Sequence, residues 1–270
     1  MALLSLPAPY DFERSTGRFR AFGADLANLW HDGGLHRVVG TTEVRLTAAP
    51  GGVDAEPLPS AAETTLRTLL GAPFDLQSFA AFAAGADPVL ARIVAAFAGF
   101  RPPLAPDPFE ALVTAITAQQ VSLYAAFAIR NRLIERFGRR AVHAYAFPSR
   151  EAIAAAEPEE LVALGFSRRK AAYAVGLARS DLDLYGLAVL QDDEVRARLV
   201  ELPGIGEWTA DWFLARHLAR PIAWPAGDLA LRKALATFYP ALTDARAAGE
   251  RFDPFQNLTA HYLLLALLAR

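Results

Sequence analysis

The chain has 270 residues, 53% hydrophobic and 21% charged, enough for one large domain or two modest ones and too apolar for long disorder. With no cysteine, disulfides, thiolate nucleophiles, cysteine-held zinc and iron–sulfur clusters are excluded. A formal charge of -2, from 27 basic and 29 acidic residues, gives no global pull toward a polyanion, so such a partner must be gripped by local charge.

Residues 1–11 lack a basic stretch ahead of an apolar core, so no signal peptide is expected. The most apolar run, 263–268, is too short to cross a bilayer, and the expectation is a cytoplasmic monomer with no membrane contact. The first sixty residues read as β-rich. Segments 29–31 and 35–39 flank Asp32-Gly33-Gly34, a hairpin signal, and 42–47 alternates before Pro50-Gly51-Gly52 turns it toward 53–55. Phe19 and Ala21, two apart around Arg20, suggest a further strand. From Ser60 the pattern turns helical: Ser60-Ala61-Ala62-Glu63 fits a capping box ahead of a segment to Leu70, and Pro88 opens a helix to Phe97. The proline-dense stretch 101–108 reads as a linker. Beyond it helices are expected over 109–119, 122–137, 150–156, 158–163, 167–180, 194–200, 207–218, 228–238, 244–252 and 257–268. The fold class is therefore α+β, with a small antiparallel sheet and flanking helices in residues 1–105 and a mostly α-helical body in 106–270.

The most informative stretch is Leu199-Val200-Glu201-Leu202-Pro203-Gly204-Ile205-Gly206-Glu207-Trp208-Thr209-Ala210. A helix ends in it, Pro203 and the glycines cannot continue that helix, and Glu207 restarts one whose first amides are free. Helix, glycine turn and helix, spanning residues 194–218, turn those amides and the positive end of a helix dipole outward, which suits a phosphate. Such a contact positions a nucleic acid without reading its bases. By itself the turn also fits an ordinary helix–helix connection. Downstream, Asp228 follows Pro225-Ala226-Gly227 and opens an amphipathic helix, where aspartate is a preferred N-cap. Trp208 and Trp212 share a helix face, a spacing at which most aromatics pack in a core and which also suits a flat wall for a base. The five histidines show no metal-ligand spacing, and no glycine-rich loop follows a strand to take a nucleotide cofactor.

The frame Leu202-Pro203-Gly204-Ile205-Gly206-x-x-Thr209-Ala210 with a helix on each side, followed by Pro-x-x-Asp at 225–228, resembles the helix–hairpin–helix DNA glycosylase superfamily. Pro9-Tyr10-Asp11-Phe12, the run 109–122 ending in Gln119-Gln120-Val121-Ser122, and Leu164-Gly165-Phe166-Ser167-Arg168-Arg169-Lys170-Ala171 are similar to its 3-methyladenine DNA glycosylase II branch. The resemblance implies that Asp228 is the catalytic acid and that Trp208, Trp212 and Phe255 line a base pocket, Phe255 standing where the best-known form has Trp. It implies further that Gln119, Gln120, Ser122, Gly204, Ile205, Gly206, Thr209, Arg168 and Lys170 face double-stranded DNA, with Gln120 filling the gap left by a flipped base. Read from the residues alone, Gln119 and Gln120 fit a solvated helix end, and Arg168-Arg169-Lys170 a solvated helix start. Lyase-competent members carry a lysine where this chain has Trp208, which implies a monofunctional enzyme that uses water. No cofactor is implied beyond Na+ or K+ at hairpin carbonyls near Leu202 and Ile205. The expected function is base excision repair of alkylated DNA. Alkylated purines such as 3-methyladenine and 7-methylpurines, held by aromatic faces that favour their positive charge, are flipped out and lost by hydrolysis of the N-glycosidic bond. A non-catalytic DNA-binding module, and a glycosylase for hypoxanthine or uracil, stand as alternatives.

Overall fold

Strand pairing begins with the first described residues. The computed structural model describes residues 2–270, and β1 (Ala2–Ser5) lies antiparallel to β5 (Gly52–Glu56), with Leu4 opposite Val53. The five-stranded sheet runs β1-β5-β4-β3-β2, where β2 (Asn28–His31), β3 (Gly34–Val39) and β4 (Thr42–Ala49) follow one another through tight turns. β1 lies outside the sequence-based expectation. Gly52 is the residue that admits it, because a Cβ there would strike the Leu4 carbonyl.

Phe19 and Ala21 are not in a strand. α1 (Phe12–Thr16) and α2 (Arg18–Ala21) follow in succession, and Phe12 and Phe19, seven apart, reach the same core at a helical spacing that the two-residue alternation imitated. Ser60 caps no helix either. Residues 60–62 form a 3-10 turn behind Pro59, and α3 (Glu63–Leu69) starts from Ala62 without a side-chain cap. α4 (Leu76–Ala86), capped by Asp75, is a helix the sequence pattern does not announce.

The remaining helices are α5 (Pro88–Ala96), α6 (Pro108–Ala118), α7 (Leu123–Phe137), α8 (Arg150–Ala154), α9 (Pro158–Ala163), α10 (Arg168–Arg179), α11 (Asp192–Val200), α12 (Glu207–Arg216), α13 (Leu229–Phe238) and α14 (Gln256–Leu268). They lie within a few residues of the expected spans. The stretch 244–252 differs, tightening into a 3-10 helix at Ala247–Phe252, with Asp244 accepting the Arg246 and Ala247 amides. A two-residue ribbon, β6 (Arg139–Arg140) with β7 (Tyr145–Ala146), interrupts the helical body. Among the described residues no helix is long and apolar enough to cross a membrane.

Three apolar cores result. The sheet and α1–α3 enclose Leu4, Phe12, Leu35, Leu46 and Leu66; α6–α12 enclose Leu112, Leu133, Leu161, Leu199 and Phe213. The third joins α4 and α5 to α13 and α14 through Phe79, Leu90, Leu235, Phe252 and Tyr262, so residues 74–104 pack with the C-terminal helices. Buried charge ties the sheet to the body. Glu110 on α6 accepts both guanidinium nitrogens of Arg37 (3.1 and 2.6 Å) and one of Arg130 (2.6 Å), and Arg130 also pairs with Asp25. Burial alone would raise both carboxyl groups, but the arginines hold Asp25 and Glu110 below the usual carboxylate range. A second clasp is Glu43 on β4, which takes His36 Nδ1 (2.7 Å) and three successive amides, Val142 to Ala144. His31, His36 and His143 gather there, ring centroids 4.4 to 5.8 Å apart, although no group among the described residues has metal-binding geometry.

Candidate active site and nucleic-acid interface

The glycine turn between α11 and α12 is built by close packing. Gly204 has φ 82°, and a Cβ there would overlap the Tyr173 ring, so both backbone and space demand glycine. Ile205, 4% exposed, plugs the core beneath, and Asp211 accepts from Arg196 Nε (2.9 Å), lacing the two helices together. Gly206, at the N-cap of α12, is exposed and faces open space. Gln119, just past α6, donates through Nε2 to Gly204 O (2.9 Å) and Thr209 Oγ1 (3.2 Å), so it clips the end of α6 onto the turn.

Its neighbour Gln120 does the opposite, standing exposed in the left-handed region at φ 53°. Ser122 then caps α7 by accepting the Ala125 amide (3.2 Å). Around Gln120 lie Val121, Leu123 and Tyr124, exposed apolar side chains that the sequence reading does not single out. Arg168 is exposed at the start of α10. Lys170, expected to face DNA, is turned inward: its Nζ donates to Thr117 O (3.0 Å), and burial lowers its pKa.

Asp228 is the N-cap of α13 and accepts four hydrogen bonds. Oδ1 takes the amides of Ala230 (2.9 Å) and Leu231 (3.0 Å), and Oδ2 takes the indole N–H of Trp208 (3.0 Å) and of Trp212 (2.9 Å). Cap and site are therefore one residue, and the two tryptophans reach it because they share a face of α12. Trp208 is half-buried and Trp212 buried. Phe255 is not brought here: it lies at the start of α14 and packs against Phe79 and Phe82 in the third core. What α14 brings to Trp212 is His261, nearly two turns further on, with ring centroids 5.6 Å apart and near-perpendicular planes.

Three further residues gather at Trp212 or close to it: Arg216, Arg18 and His261. Arg216 lies flat on Trp212, its guanidinium carbon 3.5 Å from the ring centroid, so that face is not free to stack on a base. Burial brings the Arg216 pKa well down, Arg18 pushes in the same direction, and Asp228 opposes them. Arg18 on α2 is likewise lowered by burial. His261 Nδ1 faces Asn257 O at 3.0 Å, and since a carbonyl only accepts, Nδ1 carries the proton. Burial, with the two arginines, pushes the His261 pKa down to about 3, so Nε2 is an unprotonated acceptor; it is buried without a partner.

Comparison with known proteins bears on this arrangement. The profile of the family described as "HhH-GPD superfamily base excision DNA repair protein" matches residues 113–252. The chain is 34% identical to a Mycobacterium tuberculosis (strain H37Rv) protein called probable bifunctional transcriptional activator/DNA repair enzyme AlkA, across 98% of this chain and 56% of that one. It is 32% identical to DNA-3-methyladenine glycosylase 2 of Escherichia coli (strain K12), across 68% of this chain and 65% of that one. It spans about half the length of the first curated relatives it matches. Among solved structures, a 3-methyladenine DNA-glycosylase from Archaeoglobus fulgidus aligns over 99% of both chains, with a TM-score of 0.87 at 26% identity.

Proposed function

The chain belongs to the HhH-GPD superfamily of base excision DNA repair proteins, and on that premise we propose that it is a monofunctional DNA glycosylase for alkylated bases in double-stranded DNA. The observation that carries this reading is Asp228, a carboxylate fixed by two amides and two indoles beside an amide-presenting hairpin. When the N-glycosidic bond breaks, its electron pair leaves with the base and the sugar becomes cationic. A preorganised anion stabilises that transition state more than the ground state. The four N–H donors fill the lone-pair directions of both carboxylate oxygens, which favours this electrostatic role over accepting a proton from water.

The other parts support the same reading. The first amides of α12 suit a DNA phosphate, exposed Gln120 suits the gap in the stack, and Arg168 adds local positive charge to a nearly neutral molecule. The absence of a Schiff-base step is supported by Trp208 at the position in question and by Lys170 being bonded to Thr117 O, which leaves Lys233, exposed on α13, as the other lysine. The hairpin carbonyls also suit Na+ or K+. Among the described residues Leu202 O accepts the Ile205 amide (3.1 Å) alone, and a carbonyl keeps a second lone pair for such an ion, which would reinforce the pull on a phosphate.

The test is Asp228→Asn. The amide still caps α13 through its oxygen, but its NH2 opposes the two indoles. Release of free base from alkylated duplex is expected to fall about 10²–10³-fold or more, while binding of the duplex persists. Release at the native rate would overturn the mechanism.

A further inference from the structure

Away from Asp228, the sheet carries a cluster that the glycosylase reading leaves unused. Side chains alternate between the two faces of a strand, and His36 pairs with Leu29 on β2 and with Arg45 on β4. His31 and Glu43, each two residues along from those partners, therefore stand diagonally beside His36 on the same face. Glu43 also accepts the amides of Val142, His143 and Ala144, which draws the turn between β6 and β7 over that face and brings the His143 ring to the other two. Ring centroids are 4.4 Å apart for His31 and His143, 5.2 Å for His36 and His143, and 5.8 Å for His31 and His36. Three imidazoles bonded tetrahedrally to one Zn2+ through Zn–N bonds of about 2.0–2.1 Å have centroids about 5 Å apart.

His36 is already set up as a ligand. An ionised carboxylate only accepts, so Nδ1, 2.7 Å from Glu43, carries the proton, and Nε2 keeps its lone pair, buried without a partner. A carboxylate behind one ring nitrogen and a free lone pair at the other is the arrangement that fixes a metal-binding histidine in tautomer and orientation. The His36 and Glu43 side chains are 5% and 6% exposed, so this half is held in place by packing. His31 and His143 are the adjustable half: the His31 side chain is 41% exposed, and His143 lies in the exposed turn. In the free protein the ring nitrogens do not converge on one point. Asp32, with Oδ2 3.3 Å from His31 Nε2, adds a carboxylate for a fourth position. With no cysteine in the chain, the donors are imidazole and carboxylate, a set that suits Zn2+. His217 and His261 do not compete, since each turns Nδ1 to a backbone carbonyl inside the helical body. We propose that His31, His36 and His143, with Asp32 in the fourth position, bind one Zn2+ between the sheet and the β6–β7 turn. Rotation of the His31 and His143 side chains closes the site. The bound ion then ties β2 and β3 to the turn at His143, and because only the folded chain brings these residues together, binding stabilises the fold. The site shares no residue with the one proposed for base release.

The experiment titrates the full chain, first stripped with a chelator, with Zn2+ alone in a calorimeter. One ion per chain is expected, with a melting temperature that rises on adding Zn2+ and falls back on adding chelator. Co2+ in its place is expected to show the intense visible absorption of a tetrahedral site; the faint absorption of an octahedral ion overturns the ligand set. His143→Ala, at an exposed turn position, is expected to leave the melting temperature of the metal-free protein near its native value and to weaken Zn2+ binding by about a hundredfold, at least the loss that removing an outer-shell partner brings. His31→Ala is read the same way and keeps the test open should His143→Ala loosen the turn. Zn2+ bound by both variants as tightly as by the native chain overturns the proposal. So does a titration showing no binding, or several weak ions per chain that neither substitution affects.

Discussion

At the joint between sheet and helices, Arg37 and Arg130 are buried against Glu110 and Asp25, and each guanidinium is met by a carboxylate in bonding distance. Arg216, on the tryptophan that bonds to Asp228, and Arg18 are partly buried too, yet among the described residues neither has a carboxylate in bonding distance. The same residue type thus serves two purposes in one molecule. At the joint, desolvation of the charge is offset within the fold, and removing a partner strands the other. At the pocket the offset is weaker: Arg216 has the Trp212 face and the field of Asp228, and Arg18 the field of Asp25, so part of the desolvation remains a cost to folding. Sites that must bind or react are where such local inconsistencies are tolerated.

The largest effect that separates the two regions is expected at the joint. Arg130→Met leaves Asp25 and one side of Glu110 without a counter-charge and is expected to lower stability by about 3–5 kcal/mol, read from urea melts. A loss below 1 kcal/mol would mean that the joint is no better compensated than the pocket. Next comes Asp228→Asn, with its collapse of base release at little cost in duplex binding. Third is Gly204→Ala, which meets the Tyr173 ring and an unfavourable φ, and is expected to cost about 1–3 kcal/mol and to weaken DNA binding. Gly206→Ala, in open space with extended backbone, is its control and is expected to leave the melting temperature unchanged. Fourth, and opposite in sign to the joint, Arg216→Met is expected to raise stability by about 1 kcal/mol, as the lost stacking on Trp212 is outweighed by removal of an unpaired, partly desolvated charge. A destabilised Arg216→Met would erase the contrast between the regions.

How far this was legible in the sequence follows from how local each feature is. The hairpin, its glycines, the i,i+4 tryptophans and the capping aspartate are short-range patterns, and the structure assembles them around Asp228. Arg18, Arg216 and His261 come from α2, α12 and α14; no spacing links them, so tertiary packing alone reveals the cluster. Phe255 fails as a pocket wall for a related reason: the start of α14 belongs to the third core, and the helix reaches Trp212 only at His261. Lys170 sits in a run that looks solvated, but α10 packs on α6 and brings its Nζ to the Thr117 carbonyl. β1 is missed because its partner β5, with Gly52 at the point of closest approach, lies some fifty residues away.

Gln119 and Gln120 repeat the contrast at the scale of two neighbours. Gln119 uses its amide on the hairpin, while Gln120 is exposed and held in a left-handed conformation that glycine would adopt without strain. Relief of that strain, about 1 kcal/mol, is partly cancelled by the greater freedom glycine gives the unfolded chain, about 0.5 kcal/mol. Gln120→Gly is therefore expected to stabilise the free protein slightly, by about 0.5 kcal/mol. The same change removes the side chain proposed to hold the gap open in the duplex, where unstacking a base costs a few kcal/mol. Base release from duplex should then slow about tenfold, while release from a single strand, which has no stack to replace, should not. If Gln120→Gly leaves both substrates untouched, Gln120 is a turn residue and the exposed apolar side chains beside it, Val121, Leu123 and Tyr124, become the candidates for that role. If it also destabilises the fold, the left-handed turn is supported by contacts of the Gln120 side chain and the strain has a structural rather than a functional cause.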